Sequence, residues 1–180
     1  MISEIYAVIS GIVIMTIVLI INYRKKVTLL HAVLTALFIL YITGVICVTL
    51  FPINYSDKVS PGFNIMIDKL KLIPFEVITK MFTQFGLFVS LVQVGGNILM
   101  TFPLGVMLPF VMPDRKKIFY PLCFLMFTFA IEATQFLLGY VLNTFYRTAD
   151  IDDIILNFTG AMLGYLLYKI IPDKIKQKLK

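Results

Sequence analysis

Glu132 stands inside an otherwise apolar run, Phe-Ala-Ile-Glu132-Ala-Thr-Gln135-Phe-Leu-Leu, where a carboxylate must find a cation, take up a proton or open to water. Gln135 follows three positions on and shares its helical face. A second set, Arg147, Asp150, Asp153, Asn157, Gly160 and Gly164, advances by three or four residues at each step. At about 100° per residue, Asp150 to Gly164 fall within an arc of roughly 80°, with Arg147 one turn earlier at its edge. Asp152 turns away from that arc. Gln93, Asn97 and Thr101 form a third stripe at i, i+4 and i+8. These types allow acid–base work by Glu132 or Asp153, with Arg147 holding an anionic group. Asp150 and Asp153, one turn apart, cannot both ionise freely in a poorly hydrated site unless Arg147, a divalent cation or a proton compensates them. Arg147 is the expected partner of these acids and of Glu132, and no metal is expected.

The elements that must carry these residues are membrane helices. Of the 180 residues, 59% are hydrophobic and 14% charged, against about a quarter charged in a soluble domain. The apolar residues gather into runs of roughly twenty, the length that crosses about 30 Å of hydrocarbon as a helix. Five spans are predicted, at about 5–21, 27–51, 90–111, 118–138 and 151–171, in a single all-α membrane domain with an outer loop at 52–89. The first reads as a retained anchor, because its basic cluster, Arg24, Lys25 and Lys26, follows the apolar run. With the N-terminus outside, eleven of the sixteen basic residues fall on the inner side, which predicts an N-out, C-in protein. In that topology all three polar stripes lie in the outer half of the membrane. Asn97, Glu132 and Asn157 each come roughly 10 Å below its outer boundary at 1.5 Å per residue.

Other features are read more plainly. Loop residues Phe75, Ile78, Met81, Phe82 and Phe85 recur at helical spacing after Pro74, predicting a short amphipathic helix at the outer leaflet with Pro74 in its first turn. Pro103 should kink its span and free the carbonyl of Leu99 for a neighbouring helix or a ligand. Gly160 and Gly164 form a close-packing pattern. Cys47 and Cys123 are placed in opposite leaflets, out of disulfide reach. His31 has no nearby ligand-type residue in sequence. The net charge of +6 is a topology signal, with no aromatic–basic interleaving to suggest nucleic acid. No cofactor motif is present, and protein partners are left open.

Asn97 with Pro103, Gly105 and Pro109, then Glu132 with Gln135, then Arg147, Asp150, Asp153, Asn157, Gly160 and Gly164 at their spacings resemble the VanZ-like family of bacterial membrane proteins. The motifs span about residues 90–168, with Ile73-Pro74-Phe75 as an outlying piece. The resemblance implies a bacterial cell-membrane protein that lowers susceptibility to teicoplanin-type lipoglycopeptides without remodelling the precursor. Lys71 stands near a place where relatives carry asparagine, which argues against contact between this loop and the site. Besides protection at the cell surface, two readings stay open. One is an intramembrane enzyme acting on a lipid or lipid-linked envelope headgroup; the other is a structural or partner-binding subunit.

Overall fold

The computed structural model describes residues 4–51, 70–141 and 149–178. Helices α1 (Ile5–Arg24), α2 (Leu29–Leu50), α3 (Glu76–Gln84), α4 (Leu87–Val111), α5 (Phe119–Val141), α6 (Ile151–Ile170) and α7 (Asp173–Lys178) follow in order. A two-residue strand, β1 (Leu70–Lys71), precedes α3, and another, β2 (Ala149–Asp150), precedes α6. The described residues are all-helical in their regular structure apart from this strand pair. Helices α1, α2, α4 and α5 are long and apolar enough to cross a membrane. Helix α6 is as long as α1, at 20 residues, but opens on Asp152 and Asp153, carries Asn157 and ends near Lys169. It packs closely along α4 and also against α5, so its polar residues Asp152 and Asn157 are buried in protein.

Helices α4 and α6 form the centre. Thr101 of α4 donates its hydroxyl to the Asn157 carbonyl of α6 at 2.6 Å, and Asn97 Nδ2 donates to Asp153 Oδ1. Both pairs are separated by 56 residues, so the two helices run parallel with their i, i+4 ridges in register. The same offset sets Gly105 on Ala161, where an added Cβ would lie 1.9 Å from the Ala161 carbonyl oxygen. Gly160 and Gly164 complete the approach: a Cβ at either would come within 2.2 Å of the Ile98 oxygen or 2.0 Å of the Phe102 oxygen. Small residues let the backbones meet, as membrane helices lacking a hydrophobic drive between them require.

Pro103 and Pro109 are accommodated within an uninterrupted α4. Next to the Leu99 carbonyl that Pro103 leaves without its usual donor, the Met100 oxygen accepts from the Tyr41 hydroxyl of α2 at 2.7 Å. A neighbouring helix therefore bonds the backbone in this turn. Toward the opposite end of α4, Leu104, Leu108, Tyr120, Phe124, Ala161 and Tyr165 form the buried core, with Tyr165 and Tyr168 stacked at 6.1 Å. Helix α1 is peripheral: its buried residues are Ala7 and Gly11, and a Cβ at Gly11 would meet the Thr43 hydroxyl of α2 at 2.2 Å.

Helix α3 follows Pro74, which lies in the turn before it and not in its first turn, and Phe75 takes a left-handed conformation (φ 64°) to start it. Its apolar residues divide between two sides. Val77, Ile78 and Met81 are half-buried, while Phe75, Phe82 and Phe85 are exposed.

Candidate functional site

The site begins where α6 begins. Asp150 is extended (φ −124°, ψ 124°) and its carboxylate accepts from the Asp152 amide at 2.9 Å, an N-cap that satisfies one of the orphan donors of the first turn. This corrects the helical register assumed for Asp150: the helix starts one residue later, and Asp150 and Asp153 do not stack as successive turns of one face. Burial pushes the Asp150 carboxyl above the usual carboxylate range, and the neighbouring Asp152 charge adds to the effect, against the Asp152 amide bond and Lys71, which act to lower it.

Strand β2 pairs in parallel with β1, Leu70 against Ala149 and Lys71 against Asp150. The loop before α3 therefore does reach the site, overturning the expectation drawn from Lys71. Strand pairing uses backbone groups, so the lysine side chain does not prevent it. Asp152 fastens the same loop a second time. Its carboxylate accepts from the amides of Phe75, Val77 and Ile78, the last two at 3.1 Å each. Asp152 does leave the Asp153–Asn157 face, as the spacing indicated, but it turns into protein and is 1% exposed. A carboxylate at the first turn of a helix meets both unpaired N–H groups and the positive end of the dipole.

Glu132 Oε2 accepts from the Asp150 amide at 3.0 Å, which brings α5 onto the same point. Gln135, one turn along, donates to the Thr49 carbonyl of α2 at 2.9 Å. Glu132, Gln135 and Asn157 are all buried. These contacts surround a cavity of about 700 Å³, within the range usual for small-molecule sites. Gln93, Asn97, Glu132, Gln135, Asp153 and Asn157 all line it, with Thr49 and Val48 from α2 and Gly96, Leu99 and Met100 from α4. Six polar residues from three separate stripes thus share one chamber. Asp150 takes part through its amide and is not in the wall. Pro103, Gly105, Pro109, Gly160 and Gly164 lie in the helix packing and not in the lining. Arg147 falls outside the described residues.

Asn157 is 2% exposed, and its Oδ1 has no hydrogen-bond partner among the described residues. A buried acceptor left without a donor costs about 1–3 kcal/mol, so a donor supplied from the adjoining cavity stabilises this position. No grouping of three or more His, Cys, Asp or Glu among the described residues has the arrangement to hold a metal ion. Both cysteines are free thiols.

Sequence reasoning missed Asp152, whose partners lie more than seventy residues away, and the whole of the α2 contribution, Val48 and Thr49. Nothing in the apolar α2 sequence marks them. Gly96 was also missed, although a Gly95–Gly96 pair beside Asn97 in an apolar helix is a visible signal of an open wall.

The fold and cavity define a multi-pass helical membrane protein with a polar chamber between its spans. The chain belongs to the VanZ/LLP1 family, whose model matches residues 38–172. The match runs from within α2 to just beyond α6 and takes in every wall of the chamber, while α1 lies outside it. No curated protein and no solved structure matches the chain.

Proposed function

We propose that the cavity receives the polar headgroup of a membrane lipid or lipid-linked envelope precursor in the outer half of a bacterial cell membrane. Action on that headgroup is how the protein lowers access of teicoplanin-type lipoglycopeptides to their target. The observation that carries the reading is the convergence of Gln93, Asn97, Glu132, Gln135, Asp153 and Asn157 on one chamber of about 700 Å³. Helix glue alone accounts for Gln135 on Thr49 and Thr101 on Asn157. It does not account for two carboxylates lining a space of that size, since ionisable groups within spans are costly.

Glu132 and Asp153 are the acid–base candidates and Arg147 the cation for an anionic headgroup. Asp150 and Asp152 act one step removed, by fixing the α6 N-terminus and the loop above it. Five crossings, with α6 as the fifth, an outside N-terminus and a cytoplasmic C-terminus complete the proposal.

The test is Glu132→Gln. A glutamine carbonyl still accepts from the Asp150 amide, so the fold contact stays while the charge goes. Extracts of envelope lipids from cells expressing the wild type contain a species that Glu132→Gln cells lack, and teicoplanin protection falls with it, at equal protein level. Unchanged extracts and unchanged protection would sink the reading; disappearance of the protein itself would favour a structural subunit.

A further inference from the structure

The cavity wall changes character around α4. From Asn97, at about 100° per residue, Gln93 lies roughly 40° away, Gly96 roughly 100°, Val92 roughly 140° and Leu99 roughly 160°, all in one direction. The wall therefore grades from the amide that holds Asp153, through an amide side chain and a glycine, to two aliphatic residues. Val92 and Leu99 are 59% and 71% exposed, and Val48, their counterpart on α2, is 69% exposed. A rim that apolar, on a chamber that polar, marks the side where hydrocarbon meets the site.

On the α4 side of this rim, Val92 and Leu99 stay more than half exposed. Helix α1 lies against Thr43 and Ile46 of α2, which stand roughly 140–160° around that helix from Val48. A Cβ placed on Gly96, in the wall just inside the rim, would touch nothing within 4 Å. Tyr41 bonds the Met100 carbonyl, so α2 and α4 are joined toward one end of the cavity and the opening has a closed end there.

We infer that the ligand enters sideways from the membrane, between α2 and α4, as an amphiphile. Its headgroup reaches Asp153 and Asn157 while at least one hydrocarbon chain stays outside against Val48, Val92 and Leu99. This rests on the reading of the chamber as a lipid-headgroup site and adds the route of entry and the side on which the hydrocarbon chain stays.

The sequence contains no tryptophan, so one introduced residue reports on its own surroundings. Met100→Trp places the probe in the cavity wall, and Leu137→Trp places a reference on an exposed α5 position outside the lining. The full chain is reconstituted in phosphatidylcholine vesicles brominated along the acyl chains, with acrylamide as the aqueous quencher.

Bromolipid should quench the Met100→Trp probe to within about twofold of the Leu137→Trp probe, as hydrocarbon contact requires, while acrylamide has little effect. Adding Val48→Phe and Leu99→Phe should cut bromolipid quenching at position 100 by about half or more and leave position 137 unchanged. Quenching by acrylamide alone would mean a chamber open to water, and quenching by neither a closed one; each overturns the inference. Should Met100→Trp fail to fold, Ile131→Trp, in the buried α5 wall of the cavity, carries the same test. Because quenching needs no reaction, lipid entry together with unaltered Glu132→Gln extracts would sink the proposed function and leave the portal standing.

Discussion

Asp152 contributes no surface to the cavity, yet its carboxylate holds the three amides at the start of α3 against the start of α6. An asparagine there keeps one acceptor and loses the charge and the second oxygen. Leaving buried donors short of an acceptor costs about 1–3 kcal/mol, so Asp152→Asn should lower the unfolding temperature by roughly 3–10 °C. A thermal scan in detergent checks this, and an unchanged midpoint would mean that α3 is held by other contacts. Part of this arrangement was legible. Asp150 followed by Asp152 and Asp153 is the pattern of an N-cap with an acidic first turn, and reading Asp150 as already helical overlooked it. The destination of Asp152 was not legible, because no local pattern encodes a partner brought near only by the fold.

Among the elements, α4 and α6 are the pair whose register decides the site. The 56-residue offset that sets Asn97 on Asp153 and Thr101 on Asn157 is fixed by the glycines further along. Gly160→Ala puts a methyl 2.2 Å from the Ile98 carbonyl oxygen, which is backbone and cannot swing aside. The helices must separate, so the variant should unfold at a lower temperature and lose envelope activity with it. Gly95→Ala meets nothing within 4 Å and should be neutral or stabilising by up to about 1 kcal/mol, the helix-propensity difference. Equal midpoints for the two variants would contradict the packing described. The three polar stripes and the Gly160–Gly164 pattern were readable because helical periodicity is local. That α4 and α6 pack side by side, and that α2 closes the chamber with Thr49, was not readable. Residues such as Val48 and Thr49 differ in no way from those of an ordinary lipid-facing span.

Among the described residues, four helices are apolar enough to span on their own terms. Helix α6, with its acidic start, crosses by our proposal packed against α4 and α5. A chain with the N-terminus outside and eleven of its sixteen basic residues inside should give cytoplasmic signals from reporter fusions after Lys26 and after Lys117. A fusion after Ser60 should report the outside. The inverse pattern would place the chamber in the inner leaflet and remove its access to external lipoglycopeptides.

The most direct test of a lipid headgroup in the chamber is the lipid that accompanies the purified protein. Gly96 lines the cavity, and its missing side chain faces open space, so Gly96→Phe puts a ring into the chamber without replacing a polar residue. Mass spectrometry of lipid extracted from equal amounts of wild type and Gly96→Phe, each in mild detergent and with matched unfolding temperatures, should show one lipid class retained by the wild type. The variant should retain it in greatly reduced amount. The same lipids in the same amounts from both proteins would contradict the account.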